Sequence, residues 1–234
     1  MDKLIIEGGR PLTGVVSVSG AKNSVLPILA ATILAEGPVL LSNVPDLKDV
    51  STMAMLLKEM GASTSSAEDD EYIVDASTLS SFTAPYELVK TMRASFLVLG
   101  PLLAKYGEAE VSLPGGCAIG ARPVNLHIKG LEAMGAKIQV ESGYVKASAP
   151  RGLKGAEIYL EMASVGATEN LIMAAALAEG KTVIQNAAEE PEIIDLINFL
   201  VKMGAKIAGA GTSVIEIEGV GKLGSITHRI IGDR

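Results

Sequence analysis

Two segments of the chain place apolar residues at the i, i+3, i+4, i+7 spacing of an amphipathic helix. The spacing holds for Met53, Leu56, Leu57 and Met60, and again for Ile193, Leu196, Ile197 and Leu200. A gapless shift of 143 residues lays residues 34–62 on residues 177–205, with nine of the 29 positions identical. A shorter third copy spans residues 126–140 and repeats the Met-Gly-Ala helix ending. The pattern therefore predicts three related units.

Each unit is predicted to contain a helix that ends near a glycine and a β-rich run that follows it. The glycines are Gly37, Gly61, Gly135, Gly180 and Gly204, at positions where a helix C-terminus favours a left-handed residue. Strands are predicted at residues 39–41, 137–140 and 182–185. Two helices and about four strands per unit, repeated three times around a pseudo-threefold axis, predict an α/β fold of the α+β type.

Three further segments lie outside this repeat pattern. Residues 3–7 and 15–19 are predicted strands that precede the first unit and pair elsewhere. Residues 86–107 are predicted as one long helical run, in which Lys90 and Arg93 lie one turn apart. The sequence stops just after a strand-like run at residues 225–234, without a closing helix or polar tail. This ending predicts a truncated chain.

The composition narrows the classes of function. Aromatic residues make up 3% of the chain and the net charge is −7, which argues against binding to nucleic acid. No apolar window reaches the roughly 18 to 20 residues of a membrane span. One cysteine cannot form an intramolecular disulfide, and His127 and His228 are too far apart for a metal motif. We therefore expect a cytoplasmic, monomeric protein with no metal and no cofactor.

Two short loops precede helices at equivalent repeat positions and have residues suited to phosphate. The first is Ser-Gly-Ala-Lys-Asn at residues 19–23, and the second is Ser-Val-Gly-Ala-Thr at residues 164–168. The 143-residue shift places Lys22 and Asn23 on Val165 and Gly166. Small residues at a helix start leave backbone N–H groups free for a diphosphate. The alternative interpretation of the first loop is a helix entry with a solvated lysine.

The third loop, residues 112–123, contains the only cysteine. Cys117 is preceded by Gly115 and Gly116, and Arg122 follows five residues later. A nearby cation favours the thiolate, so Cys117 is a candidate nucleophile or acid in a glycine-rich lid. Arg93 is a second candidate cation, for which the alternative is a solvated helix start.

Five motifs together carry a resemblance to a known family. They are residues 19–23, 84–95, 112–132, 164–170 and 186–193, in that order along the chain. They closely resemble the UDP-N-acetylglucosamine 1-carboxyvinyltransferases, the enolpyruvyl transferases that open peptidoglycan synthesis. The resemblance implies an inverse α/β barrel of two similar domains with substrates in the cleft between them. It also implies that residues 22–229 form the first domain, that residues 1–21 belong to the second, and that residues 230–234 begin the crossover to it.

The resemblance also implies the reaction and its two small-molecule substrates. The enolpyruvyl group of phosphoenolpyruvate would pass to the 3'-hydroxyl of UDP-N-acetylglucosamine, with release of phosphate. Cys117 would protonate the methylene carbon of phosphoenolpyruvate, could form an adduct with it, and would be alkylated by fosfomycin. A cysteine with a pKa near neutrality suits this step.

Further site residues follow from the same resemblance. Lys22, Asn23, Arg93 and Arg122 would bind phosphoenolpyruvate, with Lys22 and Arg122 counted beside Cys117 as catalytic. The sugar nucleotide would contact Asn23, Arg93, Arg122, Pro123, Val124, Asn125, Leu126, His127, Ser164, Val165 and Gly166. A trianionic substrate needs several convergent cations, which suits the arginines and the lysine.

Two departures and two alternatives remain open at this point. Met162 stands where some family members have a lysine, and Asn125 stands where others have an aspartate. At Met162 one cation for the diphosphate is missing or replaced, and both departures indicate a subfamily difference. One alternative is that this fragment alone only binds the nucleotide sugar. The other is a different reaction on the same repeat architecture, as in RNA 3'-phosphate cyclases, which the acidity and the cysteine loop disfavour.

Overall fold

We describe the protein from a computed structural model. The structure describes residues 3–66, 70–90, 92–113 and 124–234. The elements of the three units follow one another along the chain, with a short 3-10 helix at Thr32–Leu34 in the first unit and a longer one at Arg93–Val98 in the second.

The helices and strands have the following bounds. The first unit contains α1 (Lys22–Ala31), β1 (Val39–Ser42), α2 (Lys48–Glu59), β2 (Ser63–Ser66) and β3 (Tyr72–Asp75). The second contains β4 (Thr83–Ala84), α3 (Tyr86–Val89), α4 (Leu99–Tyr106), β5 (Glu108–Ser112), α5 (Asn125–Ala133), β6 (Lys137–Glu141) and β7 (Tyr144–Ser148). The third contains β8 (Glu157–Tyr159), α6 (Val165–Ala175), β9 (Lys181–Gln185), α7 (Pro191–Lys202), β10 (Lys206–Ala208) and β11 (Val214–Glu218), and β12 (Thr227–Arg229) follows it.

The strands form three four-stranded sheets with the same topology. Their orders are β12-β1-β3-β2, β4-β5-β7-β6 and β8-β9-β11-β10. In each sheet three strands of one unit pair antiparallel, and a fourth strand runs parallel to the first. That fourth strand follows the hairpin of the preceding unit. Because β12 follows the third unit and pairs with β1, the chain closes a ring of three units.

Three helices fill the centre of this ring. Residues Ser24 to Ala31 of α1, Leu99 to Leu103 of α4 and Ala167 to Ala175 of α6 are all buried. Helices that are apolar on every side belong in the interior of a protein. The strands around them alternate buried and exposed residues, as in β11 and β7, so that one face of each sheet packs on the helices. The sheets are outside and the helices inside, which is an inverse α/β barrel.

The predicted repeat pattern is confirmed in its main elements. Strands form at all three predicted positions, as β1, β6 and β9. The eight apolar residues at helical spacing are all buried. Gly61 and Gly204 follow α2 and α7 with φ of 106° and 109°, in the left-handed conformation that their position predicts.

Two sequence expectations are wrong in detail, and a third stays a prediction. Residues 3–7 and 15–19, which were expected to pair elsewhere, form no strand within this chain, and their apolar side chains are exposed. Gly37 does not adopt the left-handed conformation of the other helix-ending glycines. The run at residues 86–107 is not one helix, because Met92 is extended with φ −146° and ψ 109°. Met92 is buried in the core, and a new helical segment starts at Arg93.

The close packing of α4 on α6 gives a stability prediction. A Cβ at Gly100 would lie 2.2 Å from Asn170 Oδ1 and 2.4 Å from the Asn170 carbonyl oxygen. We expect Gly100→Ala to lower the free energy of unfolding by about 3 kcal/mol, because two inner helices must move apart. Gly221→Ala is the matched control, since nothing lies within 4 Å of its Cβ. Equal denaturation midpoints for the two variants would contradict this packing.

Candidate functional site

The inner helical segments of all three units begin at one cleft. Lys22 is the first residue of α1, Arg93 is the first residue of the 3-10 helix that leads into α4, and Val165 is the first residue of α6. All three line a cleft of about 620 Å³. The internal repeat therefore places three helix starts around a single opening.

Helix starts favour anions at this cleft. The first N–H groups of a helix have no intrahelical acceptor and carry the positive end of the helix dipole. The α1 start has no side-chain cap, and in α6 the Ser164 hydroxyl accepts only from the Ala167 N–H, at 3.4 Å. The N–H groups of Val165 and Gly166 are thus available to a phosphate-sized ligand.

The structure brings most of the described candidate residues together. Lining the cleft are Lys22, Asn23, Arg93, Val124, His127, Val165 and Gly166. Asn125 is the exposed first residue of α5, Leu126 is buried in the core, and Ser164 caps α6 beside the cleft. Cys117, Arg122 and Pro123 lie outside the described residues. Met162, one of the two departures, is 63% exposed and places no charge beside the α6 start.

His127 is held in one tautomer by Asn170, a residue to which the sequence analysis assigned no role. The Gly100 N–H donates to Asn170 Oδ1 at 2.6 Å, which leaves Asn170 Nδ2 facing the Phe96 carbonyl and His127 Nδ1, at 3.3 and 3.0 Å. Nδ2 can only donate, so Nδ1 of His127 is the acceptor and the ring proton is on Nε2.

The protonation state of His127 agrees with this arrangement. Burial of the ring, together with the nearby Arg93 cation, lowers the pKa of His127 to about 4. The imidazole is therefore neutral at pH 7. A Cβ at Gly166 would lie 3.6 Å from His127 Nε2, so this N–H group is next to the α6 start. It is a neutral donor positioned beside the free backbone N–H groups.

The cleft also contains carboxylates that the sequence analysis did not assign. Asp49 pairs with Lys22 at 3.1 Å, and Glu192 receives two hydrogen bonds from Arg234, both at 3.1 Å. Asp49 and Glu192 are the second residues of α2 and α7 and are related by the same 143-residue shift. The repeat alignment was the signal that could have identified them. Lys22 and Arg234 are thus each paired with an acid in the first turn of a helix.

Glu169 is a second deeply buried acid of the cleft, beside Glu192. It is 4% exposed and lines the cleft one turn after Gly166. Burial raises the pKa of Glu169 well above its ordinary value, and the nearby Glu192 and Glu190 carboxylates raise it further. Glu169 therefore holds its proton more strongly than an exposed glutamate does.

Two classes of site are not found in the part of the chain that the structure describes. There, no group of three or more His, Cys, Asp and Glu side chains is arranged to hold a metal ion. No helix within the described ranges has the length and apolarity needed to cross a membrane.

Solved structures with the same architecture define the class of protein. The enolpyruvyl transferase NikO from Streptomyces tendae matches with a TM-score of 0.82 and 25% identity, over 97% of this chain and 54% of its own. EPSP synthase from Acinetobacter baumannii matches with a TM-score of 0.73 and 22% identity, over 94% of this chain and 50% of its own. The fold is that of the enolpyruvyl transferases.

Sequence comparisons place the chain within this class. The sequence model of EPSP synthase (3-phosphoshikimate 1-carboxyvinyltransferase) matches residues 6–234, and the chain belongs to this family. Curated relatives from Shewanella amazonensis and Cellvibrio japonicus are 60% and 58% identical over all of this chain. Both relatives are named UDP-N-acetylglucosamine 1-carboxyvinyltransferase. The chain spans 56% of their length.

The raised pKa of Glu169 predicts how stability depends on pH. In the folded protein Glu169 stays protonated at pH values where the unfolded chain, with a pKa near 4.5, has released the proton. The free energy of unfolding therefore falls as pH rises from the unfolded pKa to the folded one. The glutamine of Glu169→Gln cannot ionise, so the variant lacks this pH-dependent fall. Its free energy of unfolding, relative to that of wild type, should therefore increase as pH rises above 4.5.

Urea unfolding at several pH values measures this difference. Glu157→Gln is the control, because Glu157 is an exposed residue of β8. A difference between Glu169→Gln and wild type that stays constant with pH would show that Glu169 titrates normally.

Proposed function

We propose that the protein that carries this chain transfers the enolpyruvyl group of phosphoenolpyruvate to the 3'-hydroxyl of UDP-N-acetylglucosamine and releases phosphate. The observation that carries the proposal is the cleft at which three inner helical segments begin with Lys22, Arg93 and Val165. The names of relatives that are 58–60% identical over the whole chain support the choice of substrates. The reaction would be an early step of peptidoglycan synthesis.

Both substrates are anions, and the cleft offers two kinds of anion site. The Lys22 ammonium and the Arg93 guanidinium would bind the phosphate and carboxylate of phosphoenolpyruvate. The N–H groups of Val165 and Gly166, with the Nε2–H of His127, would bind the diphosphate of the sugar nucleotide. Asn23 lies next to Lys22 at the α1 start, where its amide could orient the sugar hydroxyl.

Arg93 has a special place among these cations. Within the described part of the chain, no Asp or Glu oxygen lies within salt-bridge distance of Arg93, whereas Lys22 and Arg234 both have acidic partners. With no acidic partner among the described residues, the Arg93 guanidinium would meet an incoming carboxylate or phosphate without first breaking an ion pair. This supports Arg93 as a primary anchor for a trianion.

The proposed chemistry balances without a cofactor. An acid protonates the methylene carbon of phosphoenolpyruvate, which makes the adjacent carbon electrophilic. The sugar 3'-hydroxyl adds to that carbon and loses its proton, giving a tetrahedral phospho-ketal. Loss of a methyl proton and of phosphate then forms the enol ether. We assign the acid role to Cys117 and substrate contacts to Arg122 and Pro123, all three on the basis of the sequence resemblance.

A domain organisation belongs to the same proposal. Residues 22–229 would form the first domain, residues 230–234 would start the crossover, and residues 1–21 would pack in the second domain. The exposed apolar side chains before α1 support the last assignment, since Leu4, Ile6, Leu12 and Val15 are all exposed, Ile6 the least at 80%. The proposal also includes the cytoplasmic location and the monomeric state expected from the sequence. Light scattering would test the monomeric state.

A second candidate function rests on the fraction of the relatives that the chain spans. At 56% of their length, the 234 residues could bind the nucleotide sugar without turning it over. Calorimetry with UDP-N-acetylglucosamine on this chain alone, beside an assay for phosphate release, separates the two functions. Binding without release selects the binding module, and measurable release eliminates it.

The acid role of Cys117 gives the first activity prediction. Because protonation by a positioned acid contributes at least about 100-fold, we expect Cys117→Ala to lower phosphate release from the two substrates by that factor or more. UDP-N-acetylglucosamine binding, measured by calorimetry, serves as the control and should persist. Turnover close to wild type in this variant would contradict the assignment.

A second prediction concerns Arg93. Charge-assisted hydrogen bonds are worth about 1.5–3 kcal/mol, so we expect Arg93→Ala to raise the KM for phosphoenolpyruvate roughly 10- to 100-fold. Arg151→Ala is the matched control, because Arg151 is exposed and does not line the cleft. Steady-state kinetics on the full-length protein measure both variants, and equal KM values would show that Arg93 does not contact this substrate.

A further inference from the structure

Two connecting segments, residues 19–21 and 231–233, run side by side next to Lys22 and Arg234 of the cleft. The Ala21 N–H donates to the Ile231 carbonyl, and the Asp233 N–H donates to the Ser19 carbonyl, both at 2.8 Å. Between these bonds Gly20 faces Gly232 in an antiparallel bridge. A Cβ at Gly20 would lie 1.9 Å from the Asn43 carbonyl oxygen, so only glycine fits there.

One buried carboxylate joins this pair of segments to helix α1. Asp195 of α7 is 3% exposed and accepts from three donors on different parts of the chain. The Ser24 hydroxyl donates to Oδ2, the Ile231 N–H donates to Oδ2 at 3.3 Å, and His228 Nε2 donates to Oδ1 at 3.0 Å. A buried carboxylate with several satisfied hydrogen bonds holds its partners in one arrangement.

Lys202 determines which nitrogen of His228 carries the ring proton. Its Nζ lies 3.3 Å from His228 Nδ1, and an ammonium group can only donate. Nδ1 is therefore the acceptor, the proton of the ring is on Nε2, and that proton points to Asp195. The Phe199 and His228 rings pack edge to face, with their centroids 5.4 Å apart, and this packing fixes the plane of the imidazole.

Asp195 keeps its charge in this network. Burial by itself raises the pKa of the carboxyl group, but the hydrogen bonds from His228 and Ser24 outweigh burial and lower it overall. The acceptor is thus an ionised carboxylate, which binds its donors more strongly than a neutral amide does.

We propose that Asp195 is a positioning residue for the cleft: through Ser24 and Ile231 it holds the first turn of α1 against the segment that leads to Arg234. Lys22 and Asn23 precede Ser24 by two residues and one residue, and Arg234 follows Ile231 by three. Asp195 touches no substrate in this proposal. It sets the distance between Lys22 of α1 and the acid-paired Arg234, which both line the cleft.

The proposal rests on the function proposed above, in which Lys22 binds phosphoenolpyruvate. A shift of about 1 Å in such a group can lower the rate about 100-fold, even when the change is remote from the chemistry. Removing the Ser24 hydroxyl frees the first turn of α1 from the carboxylate and leaves the other two donors in place. Replacing the carboxylate releases all three.

The test compares two buried serines in the full-length protein. Ser24 and Ser95 are both 0% exposed, but the Ser95 hydroxyl has no hydrogen-bond partner within the described part of the chain. Ser24→Ala should raise the KM for phosphoenolpyruvate roughly tenfold, which corresponds to the loss of one charge-assisted hydrogen bond. Ser95→Ala should leave KM unchanged. General destabilisation would lower kcat through the active fraction without moving KM.

A second readout does not depend on activity. Amide hydrogen exchange at Ala21 and Ile231 should be roughly tenfold faster in Ser24→Ala than in Ser95→Ala when the two are compared at equal global stability. Asp195→Asn should have a larger effect on both KM and amide exchange. If Asp195→Asn does not fold, the Ser24→Ala results alone test the proposal. If Ser24→Ala matches Ser95→Ala in exchange, the proposal is overturned. If exchange responds but wild type has no transferase activity, the proposed function fails and the positioning role stands.

Discussion

The structure depends on one constraint: three buried helical segments must start at the same end of the molecule. Each unit contributes one of them, and the chain closes the ring when β12 pairs with β1. Because the units are related by rotation, the repeat itself brings the starts at Lys22, Arg93 and Val165 to one cleft. Convergence of helix dipoles and free N–H groups makes an anion site in a protein whose net charge is −7.

The cleft combines positive groups that favour anions with carboxylates that hold some of these groups in place. Asp49 and Glu192 occupy equivalent positions in the first and third units, and each holds a cation in place. Arg93, in the second unit, has no such partner among the described residues. Glu169 holds a proton inside the same cleft, and Asn170 keeps His127 as a neutral donor. Among the described residues, the cleft therefore presents one unpaired cation, two paired cations and neutral donors.

Much of the fold could be predicted because the repeated units have similar sequences. Apolar spacing and glycine helix ends gave the three units, their strands and the buried faces of α2 and α7. The break at Met92 was missed because residues 94–104, which follow it, carry no charge and are mostly apolar, and periodicity does not show where a buried helix is interrupted. Residues 3–7 were predicted as a strand from their composition, but a strand needs a partner, and no described strand pairs with them.

The site was predictable where a motif carried it and not where tertiary contacts did. Lys22, Arg93, His127 and Gly166 were chosen from motifs and do line the cleft. The roles of Asn170 and Asp195 come from hydrogen bonds between residues 33 to 171 positions apart, which no local pattern encodes. A crystal structure of the full-length protein with UDP-N-acetylglucosamine tests the central claim most directly. We expect diphosphate oxygens about 3 Å from the N–H groups of Val165 and Gly166. A diphosphate bound away from the α6 start would contradict the account.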